Sequence, residues 1–164
     1  YEQLAERGLV EAQTNVAWFY DSDTQPEQFT QWHQPISDHS EAFPRHRLAL
    51  KYYKRSADQA NELSHLKLGD YHYSGLGGLT ADPKQAAAFY RYVSGISPQA
   101  KFNLGYMHHH GIGLDKDLAL AKRFFDESLA ANPEGFLPVK LAMAHLAVDY
   151  GYEKYLKGEL AEAL

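Results

Sequence analysis

The chain contains no cysteine. Disulfides therefore cannot hold its fold together, and its redox compartment is left open, since both cytosol and secretory pathway accept such a chain. It also lacks an Asn-x-Ser/Thr acceptor, because Asn15, Asn61, Asn103 and Asn132 all miss the hydroxyl residue two places on. No apolar run approaches the roughly 20 residues needed to cross a bilayer. No signal peptide is visible. Basic clusters are equally scarce. The longest is Lys54-Arg55 and the formal net charge is -5, which argues against nucleic acid as a partner. Catalytic signatures are missing too: there is no nucleophile elbow, no His-Glu-x-x-His and no cysteine nucleophile. The chain is expected not to be an enzyme, and no cofactor is expected.

What is present is a repeat. Ala100, Leu104 and Gly105 sit at helical spacing and lead to Gly111-Ile112-Gly113, then Asp117, then a second apolar-periodic run. Ser64, Leu68, Gly69, Gly75, Gly77 and Asp82 repeat that order, with Ser64 and Ala100 lying 36 residues apart. A fixed period of this size signifies stacked helical hairpins. Ala12, Val16 and Ala17 match the first-helix positions. On the second helices Ala49, Tyr52 and Tyr53 match Ala86, Phe89 and Tyr90, and these match Ala121, Phe124 and Phe125. The small residue at Ala17, Gly69 and Gly105 lets the partner helix approach closely. Glycine inside a helix costs about 1 kcal/mol against alanine, so its recurrence at one register argues for packing. Gly75 and Gly111 suit left-handed helix caps, and Asp82 and Asp117 suit N-caps.

The expected fold is all-α, a right-handed α-solenoid of stacked helix-turn-helix repeats forming one array over residues 1–164. A partial repeat covers 1–8, as though cut from a longer array. Full repeats cover about 9–59, 60–95 and 96–131, and terminal helices cover 132–164. Within the last part, a helix over Phe136–Tyr150 is expected to close at Gly151, with a final helix over Tyr152–Leu164. Either Leu141-Ala142 or Met143-Ala144 can play the Leu-Gly role there. Tyr20 and Ala49 are separated by 29 residues, against 13 between His108 and Ala121, so the first hairpin carries an insertion over 21–43. Such a loop is either functional or a tolerated surface excursion.

Three consecutive histidines, His108-His109-His110, invite a metal reading. Successive helical residues point about 100° apart, so the three rings cannot converge on one ion. No metal is expected, and His108, at the position of His72 and Tyr20, is expected to pack. Gly75–Gly78 follows a helix and lacks the Lys-Ser/Thr ending of a phosphate loop.

The inner face of a hairpin solenoid is the better site candidate, because the first helices line it and such faces bind extended partners. Counting Ala12, Ser64 and Ala100 as position one, the third, seventh and tenth residues should face away from the partner helix. These are Thr14, Trp18 and Asp21; Leu66, Asp70 and Tyr73; and Phe102, Tyr106 and His109. Trp18, Leu66, Asp70, Tyr73, Phe102, Tyr106 and His109 are the candidate protein-binding residues, with exposed aromatics as anchors. The alternative is that Phe102 and Leu66 pack between hairpins.

Ala-x-x-x-Leu-Gly, then Gly-x-Gly, then Asp and Ala-x-x-Phe-Phe resembles the Sel-1-like repeat, and the resemblance covers nearly the whole chain. KLGDYHYSGLGG at Lys67–Gly78 and the stretch Phe102–Leu146, with LALAKRFFD before Asn132-Pro133, resemble the last repeats of Sel-1-like adaptors of endoplasmic-reticulum-associated degradation. The insertion over 21–43 and His108 depart from that pattern. The resemblance implies a non-enzymatic scaffold in the endoplasmic reticulum lumen, belonging to a protein with a signal peptide and a membrane anchor. The implied partner is the lumenal side of the Hrd-type membrane RING ubiquitin ligase, with a lectin subunit and misfolded glycoprotein substrates. Two other readings stay open: a generic Sel-1-like scaffold regulating another enzyme, and hydrolysis, proposed for cysteine-paired bacterial relatives of this repeat.

Overall fold

The computed structural model describes residues 1–22, 42–132 and 137–157. Among them the chain is built of helices and turns without strands, the all-α helix-turn-helix solenoid class that the period predicts. The elements are α1 (Glu2–Glu6), α2 (Val10–Asp21), α3 (Ala42–Ala57), α4 (Glu62–Ser74), a 3-10 turn at Leu76–Gly78, α5 (Pro83–Val93), α6 (Pro98–His110), α7 (Leu118–Ala131) and α8 (Leu137–Leu156). They form two compact units, Tyr1–Phe89 and Tyr90–Leu164. Most of the insertion expected over 21–43 lies outside the described residues, as does the last part of the terminal helix expected over Tyr152–Leu164.

In the Tyr1–Phe89 unit, α2 and α3 form the first hairpin. Its core takes Ala12, Val16 and Ala17 from α2, Ala49, Tyr52 and Tyr53 from α3, and Leu68 and Tyr71 from α4. The small residues at Ala17 and Ala49 are fully buried, which lets the two helix axes close on one another. Polar side chains also enter this core, each with a partner. Thr14 and Ser56 share a hydrogen bond of 2.6 Å across 42 residues of sequence. Gln13 Nε2 donates to the Ala5 carbonyl at 3.1 Å and so ties α2 to α1.

α4 opens on Asn61, whose side chain accepts from the Ser64 N–H at 2.9 Å, and stops at Gly75 with φ 73°. The left-handed backbone there reverses the chain without cost to a glycine. The Asp82 N–H then donates to the His72 carbonyl at 2.7 Å, and the Asp82 carboxylate caps α5 through the Gln85 N–H at 3.0 Å. One aspartate thus staples the end of the first helix to the start of the second.

The Tyr90–Leu164 unit repeats the device. Ser97 caps α6 through the Ala100 N–H, and α6 ends at Gly111 with φ 68°. The Asp117 N–H donates to the His108 carbonyl at 2.9 Å, and its carboxylate accepts from the Leu120 N–H at 2.9 Å. Leu118, Ala121, Phe125, Val139 and Leu146 form a buried cluster shared by α7 and α8. Gly105 lies directly against the Phe125 ring: a Cβ at Gly105 would be 2.7 Å from two of its carbons.

One expected break is absent. α8 runs without interruption from Leu137 to Leu156, through Gly151. Gly151 is not among the positive-φ glycines, so it does not cap the helix as Gly75 and Gly111 do. Neither expected pair fits the Leu-Gly place whole: Ala142 and Met143 pack against the cluster, whereas Leu141 and Ala144 are exposed.

Candidate protein-interaction surfaces

The outward positions of the first unit divide into two kinds. Trp18 is 50% exposed, a large indole left on the surface of α2. Leu66, Asp70 and Tyr73 on α4 are half-buried. Thr14 and Asp21 do not face outward as their spacing predicts. Thr14 is buried against Ser56. Asp21 accepts hydrogen bonds from the hydroxyls of Tyr71 at 2.7 Å and Tyr53 at 3.2 Å, and pairs with Lys67 Nζ at 2.9 Å. The physical reason is that a first helix of a hairpin array is flanked on more than one side. A polar residue there turns inward when hydroxyl or ammonium partners on the next helices meet it.

Burial, reinforced by the Asp21 carboxylate, pushes the Tyr53 and Tyr71 hydroxyls well above the ordinary tyrosine range. They are donors at every physiological pH. Arg45 on α3 completes this clasp by donating to the carbonyls of Ser22 at 2.9 Å and Phe19 at 3.3 Å. Both edges of the described residues around the first hairpin are therefore held by charge-assisted bonds. At the opposite end, Glu6 accepts from Tyr52, Arg55 and Lys51, whose bonds hold its carboxyl down at about 2.

In the second unit Tyr106 is 39% exposed and packs its ring 4.3 Å from that of His110. Phe102 is half-buried and tilts against Phe125 at 5.7 Å, so it contributes to packing. His109 is a correction: it is 1% exposed rather than displayed for a partner. Its Nε2 bonds Asp149 Oδ2 of α8 at 2.7 Å, while Nδ1 is buried without a hydrogen-bond partner. The bond draws the Asp149 carboxyl below its usual range. His108 stacks on Phe124 at 5.9 Å, as His72 stacks on Phe89 in the first unit, so this histidine position packs as expected. His108 thus turns away from the other two, whose rings stack with centroids 4.2 Å apart. Burial, with the adjacent His109, lowers the affinity of His110 for a proton.

Sequence spacing missed Asp149 and the Glu6 and Asp21 clusters. The partners of His109 and Asp21 lie 40 and 50 residues away, beyond any local pattern. A carboxylate at a register held elsewhere by Tyr73 and His109, opposite a tyrosine-rich second helix, was the available signal for Asp21. Among the described residues no helix is long and apolar enough to cross a membrane.

Comparison with known proteins adds identity to this geometry. The Sel1 repeat model matches residues 44–61, 63–92 and 98–132. The ERAD-associated E3 ubiquitin-protein ligase component HRD3A of Arabidopsis thaliana is 38% identical over 152 residues, which cover 93% of this chain and 22% of that protein. Protein sel-1 homolog 2 of Homo sapiens is 34% identical over 152 residues, covering 92% of this chain and 20% of that protein. The chain thus spans about a fifth of the length of these relatives. Among solved structures, the Sel1 repeat protein from Oxalobacter formigenes superposes with a TM-score of 0.62 at 18% identity, covering 79% of this chain and 86% of that one. The hairpin period, the glycine caps, the aspartate staples and these matches together place the chain in one family: it belongs to the Sel1 repeat proteins.

Proposed function

We propose that this chain is a non-enzymatic scaffold segment of an adaptor in endoplasmic-reticulum-associated degradation, located in the lumen. Its partner is the lumenal side of a membrane RING ubiquitin ligase of the Hrd type. A lectin subunit and misfolded glycoproteins are the associated partners. The observation that carries this reading is the similarity over 93% of the chain to a relative named as an ERAD-associated E3 ubiquitin-protein ligase component.

Physical support comes from how polar groups are spent. Asp21, Thr14, Glu6 and His109 are engaged inside or between helices, so the hairpins are rigid frames. The large apolar residues left displayed include aromatics, Trp18 in one unit and Tyr106 in the other, beside aliphatic residues such as Leu63 and Leu141. Rigid aromatic anchors bind with little ordering entropy. Trp18 with Leu66, Asp70 and Tyr73, and Tyr106 with Phe102, are the proposed contact residues.

The human relative is named only as a sel-1 homolog, which favours a second reading, a scaffold for another enzyme. One experiment separates them. The chain is immobilised and challenged with lumenal segments of the ligase, alongside Trp18→Ala and Tyr106→Ala. Capture that falls in the variants supports the degradation reading. Absence of capture by the unaltered chain favours the other scaffold role.

A further inference from the structure

In the Tyr90–Leu164 unit three histidines gather around one carboxylate where α6 ends against α8. His109 Nε2 donates to Asp149 Oδ2 at 2.7 Å. His110, the next residue of α6, stacks its ring on that of His109, with centroids 4.2 Å and planes 25° apart, and meets the Tyr106 ring at 4.3 Å. On α8, His145 lies four residues before Asp149, so both are on one side of that helix. Lys116, from the turn after α6, pairs with Glu153 of α8 at 3.1 Å. α7 presents an uncharged ring, Phe125, to His109.

A proton on His110 is poorly received in this setting. The groups whose charge reaches it are His109 on its own helix, Lys116 from the turn, and His145 and Asp149 on α8. Three of these are bases, and the one acid is already engaged by His109. His109 itself is buried to 1% exposure, and its Nδ1 has no hydrogen-bond partner. The negative end of α6, which would favour a cation, is partly spent. The Met107 carbonyl accepts from the Gly111 and Ile112 N–H groups, and the His108 carbonyl accepts from the Asp117 N–H. Burial first, and His109 next, hold the affinity of His110 for a proton below the ordinary histidine value.

A histidine that is harder to protonate in the closed chain than in the open one costs stability as pH falls from the ordinary histidine range through its lowered value. Departure of α8 relieves that cost, because it takes His145 away and opens the seam to water. We propose that the α6–α8 seam is a proton-operated latch: protonation of His110 against His109 loosens α8 in mild acid and uncovers the apolar cluster of Phe125, Val139 and Leu146. The opposing effect is a stronger bond between Asp149 and a protonated His109, and the two act with opposite signs on α8. The latch does not depend on which complex the chain serves.

Hydrogen exchange of the full chain, corrected for the intrinsic effect of pH on amide exchange, tests it. Protection of the α8 amides should fall by about threefold or more between about pH 7.5 and 5.5, while α2 amides in the other unit keep theirs. In His110→Gln the α8 protection should stay level over that range. His110 is exposed, so this variant should keep the helical circular dichroism of the unaltered chain. In the unaltered chain, the ring-proton resonance of His110 should titrate together with the loss of α8 protection, which gives a reading that needs no variant. Any of four results overturns the proposal. The α8 protection does not change with pH, it rises in acid because the His109–Asp149 bond dominates, it falls equally in His110→Gln, or α2 loses protection alongside it.

Discussion

Asp149 of α8 accepts a hydrogen bond of 2.7 Å from Nε2 of His109, a ring that α6 buries to 1% exposure. The bond places the proton on Nε2 and leaves Nδ1 with no partner in the interior. Removing the carboxylate therefore strands both nitrogens of one buried ring. α8 is held in addition by Val139, Leu146 and the exposed Lys116–Glu153 pair. Asp149→Ala should speed hydrogen exchange of α8 amides while α6 keeps its protection. The sign with pH follows from the depressed carboxyl of Asp149. Its contribution is present above the ordinary carboxylate range and is lost as pH falls through its lowered value. The difference in α8 exchange between the two proteins should thus persist at neutral pH and shrink in acid. An equal difference at every pH would mean that the carboxylate's charge is irrelevant.

Glycine at two helical positions should respond in opposite directions to the same substitution. Gly105→Ala places a Cβ 2.7 Å from the Phe125 ring and 3.2 Å from the Ala121 carbonyl oxygen. Phe125 is fully buried and has nowhere to retreat, so the variant should lose about 1–3 kcal/mol to overpacking. At Gly151 a Cβ meets nothing within 4 Å. Gly151→Ala should gain about 0.5–1 kcal/mol from helix propensity. Thermal melts of the two variants, read against the parent, decide the matter. A stabilised Gly105→Ala would remove the packing reason for the repeat's glycine.

These two glycines also show what the sequence could and could not disclose. Gly105 recurs at the register of Gly69 and Ala17, so its packing role was legible in the period. Gly75 and Gly111 were legible as caps because a Gly-x-Gly and an aspartate follow each of them. Gly151 looked like another cap because a glycine follows a helix-length apolar run, yet the aspartate staple that closes the other hairpins has no counterpart after it. The outward stripe was legible for Trp18 and Tyr106. It failed at Thr14, Asp21 and His109, because spacing on one helix does not register the partners brought up by other helices.

Acid should weaken the α1–α3 contact through one carboxylate. Tyr52, Arg55 and Lys51 of α3 all donate to Glu6, in that order of effect, and lower its carboxyl from 4.5 to about 2. A depressed carboxyl contributes stability above its unfolded value and loses it as pH falls through the folded one. Glu6→Gln should therefore be less stable than the parent at pH 7, by a margin that closes between pH 4.5 and 2. Since Glu6 is exposed, added salt should narrow the margin too. Denaturant unfolding at several pH values measures it, and a margin that widens in acid contradicts the assignment.

Asp21 should be worth more than its place at a helix end implies. It accepts from the hydroxyls of Tyr53 and Tyr71, both almost wholly buried, and pairs with Lys67. Asp21→Ala leaves two buried hydroxyls without a partner, at about 1–3 kcal/mol for each such group. A total loss of about 2–4 kcal/mol is expected, with Asp21→Asn intermediate because its amide oxygen still accepts one bond. The same geometry fixes the behaviour in alkali. Burial first, and the carboxylate second, raise both phenols. A raised folded-state value means that the stabilisation is complete below the ordinary tyrosine range and is lost as pH rises beyond it. Tyr53 and Tyr71 should then ionise only as the first unit unfolds, so the tyrosinate absorbance and the loss of helical circular dichroism should rise together. In Asp21→Ala both transitions should move to lower pH because the fold is weaker. Tyrosinate formation at Tyr53 or Tyr71 in a still-folded unit, observed by residue-specific labelling, would refute the buried acceptor role of Asp21.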